Sequence, residues 1–146
     1  MKILILFTCL ALQLFAISPY NLEGLKAVNI KISDKGKLLS KDKKVELKKR
    51  LEDESTKLGI KVSNDEFSNL IIKIESVKLN TKYVLNVSLY VVENVNPSRN
   101  KKLQGLGVTY MSNDMFEIED DLEKEIDISI FKLLFDDFKK QYQEEN

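Results

Sequence analysis

The chain has 146 residues, and 23 basic side chains balance 23 acidic ones, so no excess of charge directs it to nucleic acid or to an anionic membrane. It contains no histidine and one cysteine, Cys9. This composition excludes Ser-His-Asp and Cys-His catalysis, and zinc sites built from imidazole or thiolate ligands. The apolar residues recur periodically, which favours a folded domain over disorder.

The first 16 residues have the order of a secretory signal peptide. Lys2 precedes an apolar run from Ile3 to Phe15, and the small residue Ala16 ends it. The run is shorter than the roughly 20 apolar residues that a membrane-spanning helix needs. Cys9 lies inside the run, where it does not fit a lipidation site. We therefore predict cleavage after Ala16 and an exported domain; the alternative is a retained membrane anchor.

Three elements are predicted in the first half of the mature chain. Alternation of apolar and polar residues predicts a half-buried strand over residues 25–32. Ser40 is typical of a helix N-cap and Gly59 of a helix stop, so a helix should run from Ser40 to about Leu58. Its apolar stripe is narrow, and the remainder is mostly lysine and glutamate. A short strand at residues 60–62 follows.

Three hairpin-linked strands are predicted next, beginning at Leu70, Tyr83 and Leu103. Residues 80–81 predict the first turn, and the loop at residues 94–100 contains Pro97. Gly105 and Gly107 on the last strand indicate a bulge or a close approach of backbones. The predicted sheet core consists of Val28, Ile30, Ile72, Ile74, Leu85, Val87 and Leu89.

The last predicted element is a helix over residues 120–142, with acids at its start as the helix dipole favours. One apolar stripe, which includes Ile126, Ile130 and Leu133, should pack against the sheet. A second apolar stripe lies beside the first. Together they make the apolar face of the helix wider than docking on a sheet requires, so we predict that the second stripe is an interaction surface. The alternative is that the first helix covers it. The stripe consists of Ile128, Phe131, Phe135, Phe138 and Tyr142.

The order of elements predicts one α+β domain over residues 17–142: a two-layer sandwich with a largely antiparallel sheet and two helices on one face. Residues 143–146 should fray. The acids from Glu117 to Asp121 lack the spacing of a calcium loop and are expected to cap the last helix. No catalytic residue, metal or cofactor is predicted, because no acid stands alone in an apolar strand where its pKa would rise.

Two segments carry a resemblance to bacterial envelope proteins: the end of the first helix with its following strand, residues 58–62, and the strand at residues 69–74. In topology the chain resembles the small domains of lipopolysaccharide-assembly lipoproteins and the amino-terminal domain of the TolB family. The resemblance implies an extracytoplasmic accessory domain without catalysis. The chain differs from those lipoproteins in lacking a usable lipidation cysteine, and the resemblance assigns no functional residues.

These patterns predict a secreted or periplasmic, non-enzymatic accessory or protein-interaction domain. It would bind an envelope protein or a second copy of itself, as a homodimer, through an edge strand or the second stripe. No nucleic acid and no stable membrane anchor are expected. The alternative function is binding of a lipid or another apolar molecule between helices and sheet. A long cavity would favour that alternative, and a filled core would favour the interaction domain.

Overall fold

The computed structural model describes residues 21–79, 82–118 and 121–146, with the backbone alone at residues 79, 82 and 83. The predicted signal peptide at residues 1–16, the start of the mature chain at Ile17, the turn at residues 80–81, the side chain of Tyr83, and residues 119–120 lie outside this description.

The described elements follow the predicted order. They are β1 (Ala27–Asp34), α1 (Lys41–Lys57), β2 (Lys61–Val62), β3 (Asn69–Leu79), β4 (Lys82–Val95), β5 (Gly105–Glu117), α2 (Leu122–Ile128), a π-helical segment (Ser129–Leu134) and α3 (Phe135–Glu145). The last three segments are contiguous, and we call them together the carboxy-terminal helix. β5 begins at Gly105, two residues after the predicted start at Leu103, and continues to Glu117.

The five strands form one mixed sheet in the order β2-β1-β3-β4-β5. β3, β4 and β5 pair antiparallel, so the prediction of an α+β fold with a largely antiparallel sheet is confirmed at that level. β1 is the exception, because it pairs parallel with both β2 and β3. The reason is α1, which returns the chain to the starting end of β1, so that β2 runs in the same direction as β1.

The ends of α1 are set by the two residues that the sequence identified. The Ser40 hydroxyl accepts a hydrogen bond from the backbone N–H of Lys43 at 3.1 Å, which satisfies one of the unpaired donors of the first turn. Gly59 follows the helix with φ of +84°, a conformation that residues with a Cβ rarely adopt. The buried face of the helix consists of Leu47, Leu51 and Ser55.

The predicted sheet core is confirmed, since all seven residues named for it are buried. The strand registers place them on one face of the sheet: Ile72 of β3 lies opposite Leu89 of β4, and Ile74 lies opposite Val87. Side chains alternate along a strand, so a slip of one residue would expose the whole set.

The end of the chain is anchored, so the prediction that residues 143–146 fray is wrong. α3 continues to Glu145, and the carboxylate of Glu145 accepts a hydrogen bond from the backbone N–H of Leu22. The Asn146 side chain accepts from the N–H of Gly24 at 2.8 Å and donates to the carbonyl of Leu22 at 3.0 Å. The polar residues that looked like a solvated tail therefore bind the segment that leads into β1.

At Gly107 the close approach is made by a side chain, that of Val95, and not by another backbone. A Cβ at this position would lie 2.6 Å from a methyl group of Val95, whereas a Cβ at Gly105 would have no atom within 4 Å. The bulge lies elsewhere, at Thr109, because Val91 pairs with Tyr110 and Val92 with Val108.

We expect Gly107→Ala to destabilise the protein by about 1–3 kcal/mol, since the stiff, β-branched Val95 would have to move. Gly105→Ala is the matched control, two residues away on the same strand, and should have little effect. Urea denaturation of both variants checks this expectation. Equal stabilities of the two variants would mean that Val95 and the adjacent ends of β4 and β5 can move without loss of folding free energy.

Candidate protein-interaction surface

The second stripe of the carboxy-terminal helix does not form an exposed surface. Phe135 is 3% exposed and Phe138 is fully buried. The Phe138 ring contacts Tyr110 of β5 edge-on at a centroid distance of 5.4 Å and stacks on Tyr142 at 6.2 Å. These rings fill the space between the helix and β5, so the prediction of an exposed surface is wrong for Phe135 and Phe138.

The π-helical segment gives the physical reason for this error. Its hydrogen bonds run from residue i to i+5, so each residue advances less around the axis than in an α-helix. Side chains beyond Ser129 are therefore rotated away from the positions that a constant α-helical period assigns. Leu133, predicted to pack on the sheet, is 46% exposed, and Ile128 of the second stripe is also exposed. Ile126 and Ile130 are buried as predicted.

Phe131 is half-buried, and α1 contacts it, as the alternative interpretation of the stripe expected, through a cation. The guanidinium of Arg50 lies 3.7 Å from the centroid of the Phe131 ring, a cation–π contact. Next to it, the ammonium of Lys43 binds the carboxylate of Asp127 at 3.1 Å. The narrow apolar stripe of α1 did not predict this contact, because long basic side chains also cover apolar surface.

A different surface meets the requirements of a docking site: a groove of about 770 Å³ along the outer edge of β1. We call it the basic groove. Val45 on the outer side of α1 is exposed and forms part of one wall. The lining residues are Ile30, Lys31, Ile32, Ser33, Lys44, Val45, Lys48, Ile71, Lys73, Tyr90 and Val92.

The edge of β1 in this groove has backbone groups that no strand of the described chain pairs. β2 pairs only with Ala27 and Val28. The carbonyl of Val28 accepts from Ser63 on the β2 side, whereas the N–H of Asn29 donates to Ser68 on the β3 side. Because backbone groups alternate in direction along a strand, the N–H and C=O groups of Ile30 and Ile32 point into the basic groove.

Four lysines and no acid line the basic groove within the described residues. Three of these lysines form ion pairs with acids outside the lining: Lys44 with Asp34 at 2.9 Å, Lys73 with Glu75 at 2.7 Å, and Lys48 with Glu52 at 3.8 Å. The groove therefore combines an apolar floor, cationic walls and a free strand edge. Sequence reasoning missed it, although Val45, a lone apolar residue on the lysine-rich side of α1, was a usable signal.

Asp34 holds the end of β1 and the adjacent wall of the basic groove. Burial alone would raise the pKa of its carboxyl group, but the Lys44 ammonium and the backbone N–H groups of Leu39 and Leu38 outweigh that effect. The pKa therefore lies below the ordinary value of 3.8. A depressed pKa adds stability that is present above pH 3.8 and is lost as the pH falls through the pKa of the folded state.

We expect Asp34→Asn to cost about 1.5 kcal/mol at neutral pH, because hydrogen bonds to a charged acceptor are lost. The difference from wild type should shrink as the pH falls below about 4. Urea denaturation across a pH series measures it, with the exposed Asp65→Asn as control. A pH-independent difference would mean that the charge of Asp34 contributes nothing.

A second groove, of about 540 Å³, lies at the opposite edge of the sheet, between β5 and the carboxy-terminal helix. We call it the acidic groove, because among the described residues it is lined by three acids and no base. Ser129, at the start of the π-helical segment, is buried there, and its hydroxyl has no hydrogen-bond partner among the residues that the structure describes. The lining residues are Asp114, Phe116, Glu117, Glu125, Ile128, Ser129 and Leu133.

Within residues 21–79, 82–118 and 121–146, no group of histidine, cysteine and acidic residues has a geometry that could hold a metal ion. In the same ranges no helix combines the length and the apolar character needed to cross a membrane. Comparison with known proteins adds no family assignment: the chain matches no protein-family model and no curated protein.

Proposed function

We propose that the protein is a non-enzymatic interaction domain that binds an extended segment of a partner protein along the free edge of β1. The observation that carries this proposal is that no described strand pairs with the outward backbone groups of Ile30 and Ile32, at the base of the basic groove. An added strand supplies the backbone donors and acceptors that these positions lack, and its alternate side chains enter the groove.

The composition of the basic groove supports a partner segment with both apolar and acidic side chains. Val45 is 68% exposed, and it faces the same space as the partly buried Ile71 and Tyr90. Lys31 and Lys48 add positive charge near these apolar residues. Nucleic acid would engage the lysines but would leave the backbone groups of β1 unpaired, so an extended polypeptide fits the site better.

We also propose that the domain is a two-layer sandwich, in which both helices lie side by side on one face of the sheet. The buried faces of β1, β3 and β4 coincide in register. α1 also contacts the carboxy-terminal helix directly, through Lys43 with Asp127 and through Arg50 with Phe131. Both observations support a single helical layer.

We also propose that this domain acts outside the cytoplasm, which rests on the signal-peptide pattern of residues 1–16. The exported protein should begin at Ile17 and carry no lipid. Intact-mass measurement of protein recovered from the periplasm or medium tests this. A retained amino-terminal segment, or a diacylglycerol adduct on Cys9, would contradict it.

Affinity capture from envelope extract, with the purified protein as bait, tests the docking function. We expect wild-type protein to retain a partner that the double variant Lys31→Glu, Val45→Asp does not retain. Lys57→Glu on the same helix, outside the groove, should behave as wild type. Both residues of the double variant are exposed, so folding should persist, and circular dichroism checks this.

Identical capture by all three proteins would contradict the proposal, because binding would then not involve the basic groove. Loss of capture in the Lys57→Glu control as well would also contradict it, since net charge rather than the groove would then govern binding.

A further inference from the structure

The two grooves lie at opposite edges of one sheet and have opposite charge. The basic groove is lined by four lysines and no acid, and the acidic groove by three acids and no base, among the described residues. Each groove lies beside an edge strand and a helix, so both have the same construction. One copy of this chain therefore presents complementary surfaces on its two sides.

The open parts of the two edges also lie at the same height in the sheet. The registers connect Ile32 of β1 through β3 and β4 to Ser112 of β5, and Asp34 to Asp114. β5 runs in the same direction as β1, because two antiparallel pairings separate it from β3, which is parallel to β1. A second copy shifted sideways across the sheet would bring residues 111–117 of its β5 beside residues 30–34 of β1.

The other parts of the two edges, which precede these segments in β1 and β5, already have backbone partners. β2 pairs with the first two residues of β1, and the N–H of Asn21 donates to the carbonyl of Thr109 on the outer edge of β5. Among the described residues, the unpaired segments of the two edges therefore match, and a sideways copy would place them next to each other.

Exposed apolar side chains are distributed in the same complementary way. Val45 projects from the outer side of α1, and Ile128 and Leu133 are exposed on the carboxy-terminal helix beside the acidic groove. Side-by-side copies would bring these three residues together. The same arrangement would place Asp114, on β5, beside the groove that contains Lys44 and Lys48.

The geometry points to a second copy of this chain as the partner: the β5 edge of one copy pairs with the β1 edge of the next, parallel and head to tail. This inference rests on the proposed docking function of β1. Lysines on an edge strand commonly prevent pairing with another edge. Here they repel a second β1 edge and attract the acidic β5 edge, so the contact is heterologous and repeats.

Charge-swapped variants test the inference by analytical ultracentrifugation of the purified protein over a concentration series. Variant A carries Lys31→Glu with Lys48→Glu, and variant B carries Asp114→Lys with Glu117→Lys. We expect wild type to self-associate, with weakening by salt, and each variant alone to associate roughly tenfold more weakly or not at all. An equimolar mixture should associate again, because A then offers acids where B offers lysines.

Lys57→Glu with Lys101→Glu is the matched control for variant A, with the same change of charge outside both grooves, and should associate as wild type. Val45→Lys provides a second variant at an exposed position, so a folding defect in A or B would leave the test intact. It should also weaken association.

A wild-type protein that stays monomeric, or a mixture of A and B no larger than its components, overturns the head-to-tail contact. Either result leaves the docking function standing if capture from envelope extract still depends on Lys31 and Val45. Association that persists in A, B and Val45→Lys also overturns it, because copies would then meet through other surfaces.

Discussion

Phe138→Ala is expected to lower the free energy of unfolding by about 3–5 kcal/mol, one of the largest effects of any single substitution in this chain. The ring is fully buried and lies among three other rings, with centroids 5.4 Å from Tyr110, 5.4 Å from Phe135 and 6.2 Å from Tyr142. Truncation would remove the ring and leave a cavity that its neighbours fill only in part. Urea denaturation followed by circular dichroism measures the loss.

Leu133→Ala is the matched control for Phe138→Ala, because Leu133 lies on the same helix but is 46% exposed. It should change the stability by about 0.5 kcal/mol or less. A constant α-helical period would place Leu133 in the core and Phe138 on the surface, and it therefore predicts that Leu133→Ala causes the larger loss of stability. Equal stabilities for the two variants would contradict the placement of the π-helical segment.

Leu85→Ala should cost about 2–5 kcal/mol, because Leu85 is fully buried in β4, where strands pair on both sides. Its neighbours in the sheet are Ser76 of β3 and Phe116 of β5. Denaturation in urea gives the midpoint and its slope. A midpoint equal to that of wild type would mean that the register of β4 is shifted by one residue.

Val77→Ala provides the comparison for Leu85→Ala. Val77 lies on the neighbouring strand β3 and is 54% exposed, so its truncation removes little buried surface. We expect the free energy of unfolding to fall by no more than about 1 kcal/mol, because strand propensities of different residues differ by about that much in total. A loss as large as that of Leu85→Ala would indicate that something covers this face of the sheet.

Much of the fold could be predicted because the local signals agree with the tertiary structure. The alternation in β4 identified Leu85, Val87 and Leu89 as core residues, since one face of the sheet is buried and the period of a strand is two. Ser40 and Gly59 fixed the limits of α1, because each satisfies a specific requirement of a helix end. Such requirements are local, so the sequence alone reveals them.

The errors arise where the structure depends on distant contacts. The π-helical segment changes which face of the helix Phe135 and Leu133 occupy, and no composition signal marks that change. The parallel pairing of β1 depends on how the chain returns after α1, which periodicity does not encode. The capture of the chain end by Leu22 likewise joins residues 123 positions apart.

The sequence predicted the type of candidate site but not its location. An edge strand was expected to bind a partner, but the sequence pattern could not show which edge is open, because that depends on the short length of β2. Lys31 and Lys48 are ordinary surface residues in the sequence. They gain a shared role only when the sheet edge brings them into one groove.

Residue-resolved hydrogen exchange at the backbone amides of Ile30 and Ile32 tests the central claim most directly, namely that β1 has a free docking edge. In dilute protein these amides should exchange rapidly although their side chains contact the core, whereas the amide of Leu89, in a strand paired on both sides, should be strongly protected. At concentrations where the chain associates, Ile30 and Ile32 should become protected. Protection equal to that of Leu89 in dilute protein, or no change on association, would contradict the account.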